Sequence, residues 1–231
     1  MQYTIKVIIP AYNEQNAIGN VLEDIPASWV QEIVVVNNNS SDQTAPRAQA
    51  RGATVLEEPR QGYGAACLRG IAYLSEASAP PDIVVFMDAD YSDYGEELPQ
   101  VVAPIIEGRA DLVIGSRALG ERERGSMTIP QVFGNWLATR LLRWMYGAQF
   151  TDLGPFRAIR YASLMQLDMK DQTYGWTVEM QLKAVKLGLR CTEVPVRYRQ
   201  RIGVSKVSGT VKGTVMAGYK IIGTIIKYWW R

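Results

Sequence analysis

Ile83-Val84-Val85-Phe86-Met87-Asp88-Ala89-Asp90 is the stretch from which the rest of the chain can be read. Its apolar, β-branched run has no polar interruption, the pattern of a strand buried on both faces. It ends in two carboxylates at i and i+2, whose side chains point the same way along an extended backbone. Asp88 and Asp90 are therefore placed to reach one ion together. In an open α/β sheet, ligands sit beyond the carboxyl ends of the strands, and this pair falls there. An all-oxygen ligand set suits a hard cation, Mg or Mn, which in turn bridges phosphates. In isolation, the alternative for Asp-Ala-Asp is a solvated turn after a strand.

Upstream, the pattern predicts strands over residues 3–9 (closed by Pro10), 33–36 and 54–56; downstream, another over 111–114. Helices are expected from Asn13 to Pro26, from a cap at Ser41 or Asp42 to Arg51, over 62–74 and over 96–107. Strands alternating with helices argue for right-handed βαβ units. The expected fold is thus α/β, with a mostly parallel central sheet flanked by helices. Beyond Gly115 the alternation stops. A charged loop over 117–125 leads to an amphipathic helix at 132–146, and a loop around Gly154-Pro155 runs into an extended segment. A helix at 177–187, a strand at 191–196 and a basic loop at 197–209 follow. With no internal repeat and no linker, one domain over 1–209 is expected, continued by an amphipathic helix over 210–231.

Composition narrows the chemistry. The 231 residues contain no histidine, which excludes imidazole bases, Ser-His-Asp triads and histidine-ligated zinc. Acid–base and metal work must rest on carboxylates. Cys67 and Cys191 lie in apolar contexts without metal-ligand spacing and read as free thiols of a reducing compartment. The N-terminus opens directly as a strand, so no leader is expected. No window reaches the roughly 18 to 20 apolar residues of a membrane span. Net charge is only +2, yet eight cations and no acid occupy the last 38 residues. Such a tail suits phosphates, a membrane surface or nucleic acid.

In the last helix, Lys212, Lys220 and Lys227 share one face, and Val211, Val215, Ile222, Ile225 and Ile226 occupy much of the remainder before Tyr228-Trp229-Trp230. This fits an interfacial membrane helix, or a core-packed helix whose lysines face water.

Several polar clusters fall at successive strand ends: Pro10-Ala11-Tyr12-Asn13-Glu14, Asn37-Asn38-Asn39, Arg60-Gln61-Gly62-Tyr63-Gly64, Asp88-Ala89-Asp90 and Gly115-Ser116-Arg117. The glycines of the third offer backbone N–H groups where a Cβ would obstruct an anion. Together with Asn39-Ser40-Ser41-Asp42-Gln43-Thr44, Asp152-Leu153-Gly154-Pro155-Phe156-Arg157, the helix carrying Glu179, Glu193-Val194-Pro195-Val196 and Arg201-Ile202-Gly203-Val204-Ser205-Lys206, this order resembles the family 2 glycosyltransferases of GT-A fold. Within them it is most similar to the dolichol-phosphate mannose synthase-like branch, over roughly residues 3 to 212.

The resemblance implies an inverting, metal-assisted transfer from a nucleotide-sugar of the UDP-glucose or GDP-mannose type. Asp88 and Asp90 would hold Mg or Mn, with Ala89 between them at the donor. Pro10, Ala11, Tyr12, Glu14 and Asn38 would line the base and ribose pocket, Gln61 and Gly62 would lie under the nucleotide, and Arg201 and Lys206 would neutralise the leaving diphosphate. A polyprenyl phosphate acceptor is already anionic, and Arg117, Arg157 and Arg124 are candidates to clamp it. A soluble or glycan hydroxyl would instead need a base, for which Asp152 and Glu179 are the choices. Two departures from the family pattern stand out. Asn37 and Asn38 replace aspartates, leaving uracil or guanine open, and Ser92-Asp93 stands where the family often has glutamine. The expected setting is cytoplasmic, at the inner membrane face, with peripheral contact through 210–231. A sugar-phosphate nucleotidyltransferase is a more distant alternative, but residues 10–14 lack its Gly-rich basic loop. Nucleic acid is not an expected partner, because the basic residues flank a metal-site candidate and lack interleaved aromatics.

Overall fold

The computed structural model describes residues 3–203 and 211–229. Seven strands form one sheet: β1 (Ile5–Ala11), β2 (Glu32–Asn37), β3 (Thr54–Glu57), β4 (Ile83–Phe86), β5 (Leu112–Ser116), β6 (Arg157–Arg160) and β7 (Cys191–Pro195). Their spatial order is β3-β2-β1-β4-β6-β5-β7. The β3-β2-β1-β4 half is parallel throughout, built by helices α1 (Ile18–Asp24), α2 (Thr44–Ala50) and α3 (Tyr63–Ser75). β6 is antiparallel to both β4 and β5, while β7 runs parallel to β5. The expectation of a mostly parallel α/β sheet holds. The inserted antiparallel strand was legible only as an extended segment, because its partners lie far away in sequence.

Alternate residues of the central strands enter two separate cores. Ile8, Val34, Val36, Val84, Phe86 and Ile114 pack under α3, α5 (Ile129–Tyr146), α7 (Trp176–Lys186) and α8 (Val211–Trp229). Val7, Ile9, Val35, Val85 and Val113 pack on the opposite face, beneath α1, α2 and α4 (Leu98–Ile106). This two-sided burial is why the strands carry no polar alternation. A short α6 (Tyr161–Leu167) follows β6.

Pro10 does not close β1, which continues to Ala11. β4 pairs with β1 only as far as Ile8↔Phe86, so the missing N–H of Pro10 faces a side where no ladder remains to be served. α5 begins three residues earlier than the hydrophobic pattern suggests. Thr128 caps it in a reciprocal capping box with Gln131.

α8 is packed against α5 and α7. Tyr146 donates to Ile225 O at 2.6 Å, Lys186 to Tyr228 O at 3.0 Å, and Ile225 is wholly buried. Its other side leaves Met216, Tyr219, Ile226 and Trp229 exposed. Among the described residues no helix is long and apolar enough to cross a membrane.

Candidate functional site

The parallel half of the sheet delivers its strand ends to one edge, and loop-to-loop hydrogen bonds organise them there. After β1, Asn13 adopts φ 55° and its N–H meets Ser40 Oγ at 3.0 Å, while its Oδ1 accepts from Ser41 N at 2.8 Å. Glu14 N donates to Thr44 Oγ1 at 2.8 Å and Gln15 N to Asp42 Oδ2 at 3.2 Å. The run Asn39-Ser40-Ser41-Asp42-Gln43-Thr44 therefore staples the 12–15 turn.

Asn38 shapes the next wall. Its amide donates to Glu58 O and Arg60 O at 3.0 and 2.7 Å, and its Oδ1 accepts from Gly62 N at 2.8 Å. An aspartate has no donor for those two carbonyls. The amide is thus spent on the 58–62 loop, and Asn37 is likewise engaged, with Glu57 and Ser40 N. Both asparagine side chains are thus committed to the walls of the pocket they line or flank.

A cleft of about 490 Å³ opens at this edge. Pro10, Ala11, Tyr12, Glu14, Asn38, Gln61, Gly62, Asp88, Ala89, Asp90 and Arg201 all line it. Every predicted donor-site residue among the described residues is thereby brought together; Lys206 lies outside them. Tyr63, Thr173 and Tyr174 also line the cleft and were not foreseen. Thr173 and Tyr174 follow a loop pressed onto the start of α3. A Cβ on Gly62 would stand 2.1 Å from Gln172 O, and one on Gly64 2.0 Å from Asp171 O. No local sequence signal marks such an approach beyond the glycines themselves.

The carboxylates at the cleft floor are under electrostatic tension. Asp90, 3% exposed, pairs with Arg201 and accepts Ser92 N and Oγ at 2.9 and 2.5 Å. Asp88 Oδ1 is buried with no hydrogen-bond partner, as is Asp93 Oδ1. Burial raises the Asp88 carboxyl, against the pull of Arg201 and Arg117. Burial, and then the charge of Asp88, push Asp93 up to about 7. Orphaned buried carboxylate oxygens beside a neutralised Asp90 are what a cation would satisfy, so the residues fit a divalent metal. Among the described residues no ready-made cage of three or more metal-ligating side chains exists, and ligand oxygens would have to complete the shell.

The five proposed acceptor-side groups have different fates. Arg117 forks onto Asp152 (Nε to Oδ2 at 2.8 Å, Nη2 to Oδ1 at 2.7 Å), and its backbone N–H adds a third bond at 2.7 Å. Asp152 is 1% exposed and already neutralised, so it is not an available base. Although burial opposes it, Asp152 holds the Arg117 guanidinium well above its ordinary value, so it stays charged at the mouth of a second cleft.

Glu179 is also buried. It accepts from Asp171 N at 2.7 Å, from Lys170 N, and from Tyr228 Oη at 2.6 Å, and it pairs with Lys183 at 2.8 Å. Burial pushes its carboxyl up, but these donors outweigh that and hold it below the usual range. Instead of acting as a base, it anchors the loop that closes on α3. Arg157 is wholly buried and gives its guanidinium N–H groups to the carbonyls of Leu153, Gly154 and Thr177. It cannot clamp an acceptor phosphate. Arg124 lies exposed on the 117–125 loop, where its carbonyl accepts from Gln200. Glu193, not foreseen, accepts from Thr151 N and Oγ1 and from Asp152 N, fixing the 151–152 turn under Arg117.

The second cleft, about 310 Å³, shares Tyr63, Asp88, Tyr174 and Arg201 with the first. It runs between α5 and α8 past Pro130, Gly134, Leu153, Pro155, Gly218 and Ile221. Among the described residues, nothing lies within 4 Å of where a Cβ would stand on Gly134 or Gly218.

A parallel sheet with an acidic nucleotide-sized cleft at its carboxyl edge and an antiparallel strand beside it is the layout of GT-A glycosyltransferases. Solved structures share it. Glucosyl-3-phosphoglycerate synthase from Mycobacterium tuberculosis, in complex with Mn2+, UDP-glucose and phosphoglyceric acid, superimposes with a TM-score of 0.78 over 99% of this chain and 80% of that one, at 24% identity. The description of glycosyl transferase family 2 matches residues 6–168, and the chain belongs to that family. It is 36% identical over 216 residues to an uncharacterised glycosyltransferase of Mycobacterium tuberculosis, covering 92% of this chain and 94% of that protein. An undecaprenyl-phosphate mannosyltransferase of Micrococcus luteus is 31% identical, with 90% and 89% covered. A dolichyl-phosphate hexose transferase of Haloferax volcanii is 32% identical, with 92% and 90% covered. The family drawn from the motifs is thus the right one, and the protein is a glycosyltransferase.

Proposed function

We propose that this glycosyltransferase moves a hexose from a nucleoside diphosphate sugar to a polyprenyl phosphate. The observation that carries the reading is the continuity of the two clefts at Asp88 and Arg201. The first, acidic-floored and ringed by strand-end loops, suits the nucleotide diphosphate. The second leads from the same point between two helices past the apolar side chains of Pro130, Leu153, Pro155 and Ile221, with glycines at 134 and 218. The relatives that act on undecaprenyl and dolichyl phosphates support the same acceptor class.

Asp88 and Asp90 would hold Mg or Mn, which supplies charge neutralisation for the departing diphosphate. Arg201, paired with Asp90 in the free protein, is the cation at the junction of donor and acceptor clefts. Arg117, kept charged and oriented by Asp152, faces the acceptor cleft and would position the lipid phosphate. An oxygen of that phosphate attacks the anomeric carbon as the nucleoside diphosphate leaves from the opposite side, so configuration inverts. Because the attacking oxygen is already anionic, no side-chain base is required. This is consistent with a chain that has no histidine and whose two candidate carboxylates are both occupied. A hydroxyl acceptor is disfavoured by the same occupancy, and the nucleotidyltransferase alternative falls with the family assignment.

The test is incubation with Mg2+ or Mn2+, labelled UDP-glucose or GDP-mannose, and a short polyprenyl phosphate, followed by counting the organic phase. Label should appear with the native chain and fall on the order of a thousandfold with Asp90→Asn, from the loss of several kcal/mol of charge stabilisation. Metal-dependent release of nucleoside diphosphate with no organic label would refute the lipid acceptor.

A further inference from the structure

A third cleft, about 340 Å³, adjoins the proposed acceptor passage at Met127 and Asn135, which line both. The Asn135 side chain is tied to Thr151 O and Leu153 N. Three guanidiniums line this cleft: Arg122, Arg140 and Arg143. Several other surface arginines, Arg51, Arg109, Arg190 and Arg197 among them, are matched to carboxylates. None of these three has an ion pair among the described residues. Arg122 reaches only Met127 Sδ, at 3.5 Å, and Arg140 lies over the Trp136 ring, 5.9 Å from its centre. The carboxylate at the cleft wall, Asp152, is already neutralised by Arg117. No acidic residue occurs between Arg124 and Asp152. The cleft is therefore a net-positive cavity with donors to spare, suited to a phosphate diester.

Its rim points to the source of that phosphate. Ile129, Phe133, Trp136 and Trp144 fall, with Arg140, on one stripe of α5, and they are 85%, 59%, 53% and 82% exposed. Large aromatic side chains left in water beside unpaired arginines have a partner of complementary make-up in an anionic bilayer, which supplies hydrocarbon and phosphate together.

We propose that the cleft of Arg122, Arg140 and Arg143 is a headgroup site for an anionic phospholipid, which seats the aromatic stripe of α5 in the membrane surface. Its three arginines do not line the acceptor passage, and its occupant is a bilayer lipid that takes no part in the reaction. It also differs from an anchor made by the last helix alone.

The experiment uses the full chain with vesicles of phosphatidylcholine, with and without phosphatidylglycerol, read by co-sedimentation and tryptophan emission. The native chain should prefer the anionic vesicles, with a blue shift. Arg140→Gln combined with Arg143→Gln should weaken that preference about 30-fold, at roughly fivefold for each charge. Trp144→Ser should weaken binding to both compositions. Metal-dependent nucleoside diphosphate release without vesicles should be unchanged in all variants, which separates this result from misfolding and from failure of the catalytic reading. Retention of the anionic preference by the double variant would place the contact elsewhere and overturn the proposal. So would displacement of the native chain from the vesicles by millimolar glycerol phosphate, which would assign the cleft to a soluble phosphate.

Discussion

The Asp93 carboxyl gives the protein a pH-dependent stability signature. Its side chain is 3% exposed, and burial together with the neighbouring Asp88 raises it from an ordinary 3.8 to about 7. Between pH 5.5 and 7 the folded protein keeps this proton while the unfolded chain has lost it. The native state therefore binds more protons, and stability falls as pH rises. Over about 1.5 pH units, at roughly 1.4 kcal/mol per unit, the loss is about 2 kcal/mol. For a domain of this length that lowers Tm by about 4–8 °C. The absence of histidine keeps the window clear of imidazole titration. Burial raises the Asp88 and Glu193 carboxyls too. The assay is thermal unfolding by circular dichroism in chelator at pH 5.5 and 8. Asp93→Asn should flatten the difference, and added Mg2+ should reduce it by favouring the ionised aspartates. A native Tm that is level or higher at pH 8 in chelator would refute the argument.

Two further outcomes test the site. Gly64→Ala puts a methyl group 2.0 Å from Asp171 O, so the 170–173 loop must move; we expect a loss of about 1–3 kcal/mol in thermal stability and a raised KM for the nucleotide-sugar. Glu179→Gln should lower kcat less than about tenfold in steady-state assays, whereas loss of a general base would cost about 10²–10⁴-fold.

The donor cleft was legible because its parts are local motifs at the ends of parallel strands. Once residues 5–11, 32–37 and 83–86 pair in parallel, right-handed crossovers leave no choice but to bring residues 10–14, 38 and 88–90 to one edge. The acceptor side was not legible in the same way. Asp152, Glu179 and Arg157 are residue types that catalyse as readily as they brace, and only their neighbours decide which. Asp152 meets Arg117, 35 positions away, and Glu179 meets Tyr228, 49 away.

The sequence by itself determined the parallel half of the sheet, the family and the aspartate-floored cleft, since hydrophobic period and strand-end chemistry are written in consecutive residues. Tertiary structure alone decided which charges remain available. Burial and partners separated by dozens of residues neutralised Asp152 and Glu179 and enclosed Arg157, while Arg122, Arg140 and Arg143 meet no carboxylate among the described residues. A side chain's charge is a property of its type, but its freedom to act is set by the low-dielectric surroundings that folding assembles around it.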